Sequence, residues 1–315
     1  MNIEKYVKAV NKAIEAYLPV KEPEELYLAA RHLIRAGGKR LRPVLSLIVA
    51  EALGKNFEPI LPAAVSIEVI HNFTLVHDDI MDRDEMRRGV PTVHRVYGEE
   101  TAILAGDTLF AEAFRILTNC DVDAENIVKA VEVLADVCVK ICEGQYLDMS
   151  FEKRSDVSEE EYIKMVELKT GQLIAASTSL PAVLFGESEE IVRALWDFGM
   201  FCGVGFQIHD DVIDIASEET GKDRGSDILK GKKTLIVIKA FERGVELKTF
   251  GKQRATKEEL LEDLRKLEEC GAIEYAAKKA REFVEIGKRR LEVLPNSEAK
   301  RLLLELAEYL VSRTK

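Results

Sequence analysis

TAILAGDTLFAEAFRIL (residues 101–117) and, six residues further on, AENIVKAVEVLADVCVKICEGQYL (124–147) repeat apolar residues at intervals of three and four. That is the period of an α-helix burying one face, since a half-buried strand would repeat at two. The pattern extends in both directions. Between Pro91 and Pro295 the only proline is Pro181, so little in the sequence interrupts helix. Strand signals are nearly absent: no hairpin dipeptide stands between alternating β-branched residues, and LIVIKAF (235–241) continues as helix. An all-α protein is expected, with a long helix over 62–86. Further helices are expected over about 101–118, 124–150, 158–184, 188–216, 233–243, 257–269, 273–292 and 297–312.

A chain of 315 residues with 47% hydrophobic content can bury one large core or two modest ones. No composition break marks a linker and no fixed-period repeat is present, so a single domain over 1–315 is expected. The polar stretch SEETGKDRGSDILKGKK (217–233) reads as a functional loop. A net charge of -11 argues against broad binding to nucleic acid or to an anionic membrane, and confines any anion site to a local cluster of Lys and Arg. The five cysteines, at 120, 138, 142, 202 and 270, are odd in number and form no CxxC pair. They read as reduced core thiols. The first residues, MNIEKYVKAVNKAIEAYL, carry charges throughout, and no apolar run reaches the roughly 18 residues of a membrane helix. A cytoplasmic protein that is not integral to a membrane is the expectation.

Two acidic clusters stand out: HDDIMD, with Asp78, Asp79 and Asp82, and HDDVID, with Asp210, Asp211 and Asp214. Both read DDxxD. On a helix, residues four apart lie on one face, so Asp78 with Asp82, and Asp210 with Asp214, each present two carboxylates in one direction. Asp79 and Asp211 are turned about 100° away and fall behind them. Like charges at this spacing destabilise a helix and invite a cation. Oxygen donors select a hard ion, and magnesium takes one or two carboxylates while water and substrate phosphate complete its octahedron. An acidic run alone would read as a solvated helix face, but IEVIHNFTLV precedes the first motif and WDFGMFCGVGF the second, and both stretches are apolar.

Basic residues stand beside these features. GGKRLRP puts Lys39, Arg40 and Arg42 at a helix entrance, where free N–H groups also favour an anion. Arg87 and Arg88 follow the first motif, Lys169 and Thr170 precede Gly171, and Lys222 and Lys232 lie in the polar loop.

With these residues in view, the sequence resembles the trans-prenyl diphosphate synthases, in particular the short-chain geranylgeranyl and farnesyl types. The resemblance runs nearly end to end through GGKRLRP at 37, IHNFTLVHDDIMDRDEMRRGVPTVH from 70, GD at 106, EGQYLD at 143, KTG at 169, GFQIHDDVID at 205 and GKDRGSDILKGKKT at 221. It implies an isoprenoid-synthase-type helical bundle around a central cavity, assembled as a homodimer. It implies Mg2+ held by Asp78, Asp82, Asp210 and Asp214, with Asp79, Gln145 and Asp148 supporting those ligands. Arg87, Lys169, Lys222 and Lys232 would meet the allylic diphosphate (dimethylallyl, geranyl or farnesyl), and Lys39, Arg42, His71 and Arg88 the isopentenyl diphosphate. Lys169, Thr170, Gln207, Asp210 and Asp211 would work at the reacting centre. His77 and His209, beside the aspartates, are read as hydrogen-bonding or structural groups, and the basic end SRTK as frayed.

Phe73 and Thr74 occupy the fifth and fourth positions before Asp78. A single aromatic at the fifth position resembles a geranylgeranyl synthase, with Phe73 as the floor of the tail pocket and a C20 product. A farnesyl or mixed C15/C20 synthase, a terpene cyclase and a catalytically silent subunit are the alternatives.

Overall fold

The chain is described from a computed structural model that covers residues 3–216 and 225–313. Lys222 lies outside the described residues. In chain order the helices are α1 (Glu4–Tyr17), α2 (Glu24–Arg35), α3 (Leu41–Ala52), α4 (Leu61–Met81), α5 (Val93–Tyr97), α6 (Glu99–Leu117), α7 (Ala124–Phe151) and α8 (Glu159–Val166). They continue as α9 (Gln172–Leu184), α10 (Glu189–Ala216), α11 (Ser226–Lys230), α12 (Leu235–Glu242), α13 (Lys257–Glu269), α14 (Ala272–Arg290) and α15 (Glu298–Ser312). The all-α expectation holds.

Two compact units divide the chain: residues 1–135, 176–193 and 294–303 form one, and residues 136–175, 194–293 and 304–315 the other. In the first unit α4 is the core helix, buried continuously from Pro62 to Ile70, and it packs against α1, α3 and α6. In the second, α12 packs against α8, α13 and α14. Helix α14 buries Ala272, Ala276, Ala280 and Val284, a stripe at a spacing of four that meets its neighbours on one face. Helices α8 and α13 start in reciprocal capping boxes, Ser158 with Glu161 and Thr256 with Glu259, which satisfy two of the donors a helix start leaves open.

Three expectations are corrected. The helix expected over 62–86 ends at Met81, because Arg83 turns left-handed (φ 56°) and Asp84 N–H bonds back to the Asp79 carbonyl at 3.0 Å. That closure is usually made by glycine. The chain then forms a hairpin where the sequence shows no hairpin dipeptide, Met86–Arg87 antiparallel to Val90–Pro91. Its turn is Arg88-Gly89, both at positive φ (52° and 77°), the pattern of a two-residue hairpin turn with arginine in a place that favours asparagine or glycine. The helix expected over 158–184 is interrupted by a π-helical turn, Glu167–Gly171.

Cys120, Cys138 and Cys202 are buried as expected, whereas Cys142 is exposed and Cys270 half-buried. On length and mean hydropathy alone Glu58–Met81 and Glu189–Ile215 could span a membrane, but 67% of the first window is buried within the protein, the mark of a core helix.

Candidate active site

Within the first unit, α4 carries His71, Asn72, Phe73, Thr74, Asp78 and Asp79 on its last three turns. Asp82 N–H bonds to the Asp78 carbonyl at 2.8 Å, so these two aspartates stand one turn apart as the motif requires. Asp79 turns inward. Its side chain is 1% exposed, and Oδ1 accepts from Arg87 Nε at 2.8 Å and from Arg87 Nη2 at 2.6 Å, while among the described residues no donor reaches Oδ2. Burial pushes the Asp79 carboxyl up, and Arg87 offsets only part of that rise. Arg87, expected on the allylic diphosphate, is therefore tied to the motif itself.

The basic cluster is sorted by the fold. Lys39 is exposed on the loop before α3. Arg40, expected beside it at a diphosphate site, instead points inward from a left-handed backbone (φ 51°) and is buried. It donates to Glu68 at 2.8 Å, to the Ile34 carbonyl at 2.7 Å and to Asn11 at 3.1 Å. Arg42 reaches His71, with 3.4 Å between its guanidinium and Nε2. A guanidinium can only donate, so Nε2 accepts and the ring proton sits on Nδ1. Burial, then the charges of Arg42, Arg88, Arg87 and Arg40, hold His71 well below its usual range; it is neutral at neutral pH. Burial also lowers Arg42 to about 10. Arg88 donates to the Leu33 and Gly37 carbonyls at 2.9 and 2.6 Å, and more loosely to Asn72 at 3.3 Å. It thereby pins the glycine pair to the hairpin. Thr74 bonds to the His71 carbonyl at 2.8 Å, and the Phe73 ring lies 5.0 Å from that of His77 and 5.2 Å from that of Phe110. His77 Nε2 is 3.2 Å from the Ile103 carbonyl, in keeping with a structural role.

The second unit gathers a separate set. Lys169 and Thr170 lie in the π-helical turn, and local π geometry is frequent at functional sites. Its position depends on Gly144 of α7: a Cβ there would fall 2.4 Å from the Lys169 backbone nitrogen. Lys169 donates to Asp148 at 2.5 Å, and Lys232 lies 4.0 Å from the same carboxylate. Burial raises the Asp148 carboxyl, but the two lysines more than offset this and hold it below its usual range. Gln145, one turn earlier on α7, is buried.

Around the second motif, Tyr162 donates to Asp211 at 2.6 Å, Gln207 Nε2 donates to Asp211 at 2.9 Å, and Thr170 donates to Gln207 Oε1 at 3.0 Å. Burial pushes Asp211 up to about 7. Asp214 accepts from Ser226 Oγ at 3.0 Å and Asp227 N–H at 3.2 Å, at the start of α11. Asp210 pairs with Arg313, whose guanidinium lies 4.5 Å above the Phe206 ring and whose carbonyl is 2.8 Å from His209 Nε2. The expected fraying of the end is thus corrected at Arg313, while Thr314 and Lys315 lie outside the described residues.

Among the described residues no three His, Cys, Asp or Glu side chains converge as a closed metal cage. Each motif offers helix-borne carboxylates and leaves the remaining positions to water and phosphate, a donor set that fits magnesium. Sequence reasoning missed Glu68, Asn72 and Tyr162; the sign it could have used for Glu68 is a lone acid within the apolar run AAVSIEVI.

A helical protein with two aspartate-bearing helices, each accompanied by its own cluster of cations, is the class that handles diphosphates. The chain belongs to the polyprenyl synthetase family, whose model matches residues 23–272. It is 60% identical over 307 residues to a geranylgeranyl pyrophosphate synthase of Geoglobus acetivorans, covering 97% of this chain and 96% of that protein. It is 51% identical to a geranylgeranyl diphosphate synthase of Methanosarcina mazei, covering 96% and 94%. The solved geranylgeranyl pyrophosphate synthetase structure from Geoglobus acetivorans superposes with a TM-score of 0.95 at 59% identity, over 99% of both chains. The fold is therefore of the isoprenoid-synthase type.

Proposed function

We propose that this chain is a magnesium-dependent short-chain trans-prenyltransferase, a single catalytic domain that joins isopentenyl diphosphate to dimethylallyl, geranyl and farnesyl diphosphates and releases the C20 product. The observation that carries this reading is the basic cluster of Arg42, Arg87 and Arg88 near His71, whose Nε2 lies 3.4 Å from the Arg42 guanidinium and which stands on the same helix as a DDxxD motif. A cyclase, which ionises one diphosphate, has no use for a second anion site there.

Arg42, His71, Arg88 and Lys39 bind the isopentenyl diphosphate. Lys169 and Lys232, already converging on Asp148, bind the allylic diphosphate and stabilise it as it departs, with Lys222 and Arg87 assisting. Fixed cations act most strongly where charge separates in the transition state. Magnesium, held by Asp78, Asp82, Asp210 and Asp214, would supply further neutralisation of the leaving diphosphate. Thr170 and Gln207 line the place where the allylic cation develops. The isopentenyl double bond attacks that cation, and a proton then leaves to the released diphosphate. Arg88 orients the loop that carries Lys39 through its bonds to Leu33 and Gly37.

Incubating the purified protein with labelled isopentenyl diphosphate, each allylic primer and magnesium tests the reading. The expected product after dephosphorylation is a C20 alcohol, lost on chelation. Absence of elongation with every primer would sink it in favour of a cyclase or a silent subunit.

Phe73 closes the tail pocket, and its ring is backed by Phe110, which in turn packs 5.1 Å from Phe114. In Phe73→Ala the product is expected to lengthen to C25 or beyond, read by chromatography. An unchanged C20 product would remove Phe73 from this role.

The enzyme works as a cytoplasmic homodimer. Helix α6 leaves Ile103, Leu104 and Phe110 exposed, and α7 leaves Val139, Tyr146 and Met149 exposed, apolar area of the kind that self-association covers.

A further inference from the structure

We propose that Tyr162, on α8, is a positioning residue for the condensation: through Asp211 it holds Gln207 with the amide carbonyl turned toward Thr170. The inference rests on the reading above that Thr170 and Gln207 line the place where the allylic cation develops.

Tyr162 is 1% exposed, and its hydroxyl donates to Asp211 Oδ2 at 2.6 Å. The other oxygen, Oδ1, accepts from Gln207 Nε2 at 2.9 Å, and Gln207 Oε1 accepts from Thr170 Oγ1 at 3.0 Å. The three bonds form one chain. A glutamine amide has two orientations of nearly equal shape, which differ in whether the donor or the acceptor faces a given neighbour. An ionised carboxylate accepts and cannot donate, so Asp211 selects the orientation with the amide nitrogen toward itself. The carbonyl oxygen, which carries partial negative charge, is then left on the Thr170 side. There it stabilises positive charge developing in the substrate, where the amide nitrogen would oppose it.

Tyr162 makes this selection stable. Without its hydroxyl, one oxygen of a buried carboxylate would lack a donor, a costly state that side-chain rotation relieves. Rotation of Asp211 would release Gln207 to either orientation. Burial and the neighbouring Asp211 charge push the Tyr162 phenol well above its usual range, so it keeps its proton and remains a donor. Phenylalanine has the same shape and cannot donate, which isolates the hydrogen bond from the packing.

The experiment is a double-mutant cycle on the full chain. It measures kcat and both KM values for isopentenyl and farnesyl diphosphates in the natural protein, Tyr162→Phe, Gln207→Leu and the double variant. Tyr162→Phe is expected to lower kcat by about tenfold to a hundredfold, with each KM within about threefold. In the Gln207→Leu background the same change is expected to lower kcat by less than about twofold, because Tyr162 then has nothing to orient. An unchanged kcat in Tyr162→Phe, or an equal fall in both backgrounds, would overturn the proposal by making Tyr162 either idle or merely a packing residue. Should Tyr162→Phe fail to fold, Tyr162→Met takes its place in the cycle with the same two expectations, since methionine fills an irregular apolar space and offers Asp211 no donor. A natural protein that elongates no primer overturns the function and this inference together, whereas equal losses in an active enzyme overturn this inference alone.

Discussion

Gly144→Ala is expected to slow condensation by about a hundredfold or more, with a stability loss of about 1 to 3 kcal/mol alongside. The added Cβ would meet the Lys169 nitrogen at 2.4 Å, the Leu168 carbonyl carbon at 2.8 Å and Lys169 Cα at 2.8 Å. All three are backbone atoms of the π-helical turn, so no side-chain rotation relieves the clash. The turn must move, and it carries both the lysine that reaches Asp148 and the threonine that reaches Gln207. Displacements of this size at a reacting centre are costly because catalysis depends on near-attack geometry. Steady-state kinetics together with urea unfolding would check it: an alanine enzyme with normal kcat would show that Lys169 does not need its present position.

The second large effect is on stability. In Glu68→Ala the Arg40 guanidinium, whose side chain is 6% exposed, loses a partner that is itself 3% exposed. Removing one member of a buried ion pair typically costs about 3 to 5 kcal/mol, because the remaining charge is left desolvated and unpaired. Asn72, whose amide donates to the Glu68 carbonyl and side chain, loses one of these bonds as well, and Asn72 is a partner of Arg88. The Arg40→Met/Glu68→Leu double variant should recover most of the loss, since replacing both charges removes the desolvation penalty with the attraction. The unfolding midpoints in urea decide between these outcomes. Equal midpoints for the Glu68→Ala variant and the natural protein would mean that water reaches Arg40.

Much of the site was legible before any geometry. The two DDxxD motifs are legible through residue type and spacing alone, and Asp78 with Asp82 stand one turn apart as that spacing requires. Lys169, Lys232 and Asp148, distant in sequence, each belong to a motif legible in the sequence, and they meet. What misled was side-chain direction. Arg40 and Arg42 are two residues apart in one basic run, yet a left-handed φ at Arg40 turns it into the core while Arg42 reaches His71. A single backbone torsion separates structural arginine from candidate ligand, and composition carries no record of it. The hairpin at Arg88-Gly89 was hidden for a related reason: its first turn residue is an arginine held at positive φ by its own bonds to Leu33, Gly37 and Asn72.

Helix content and the pairing of carboxylates follow from the sequence by itself, because a period of three to four and a spacing of four are local properties of one chain segment. The interruption at Glu167–Gly171, the inward turn of Arg40 and the bonding of Asp211 were decided by tertiary structure. Each depends on a partner far away in sequence: Gly144 for the π turn, Glu68 for the arginine, Tyr162 for the aspartate. Burial sets the free energy of a charge or a hydrogen-bond donor, and burial is a property of the assembled fold.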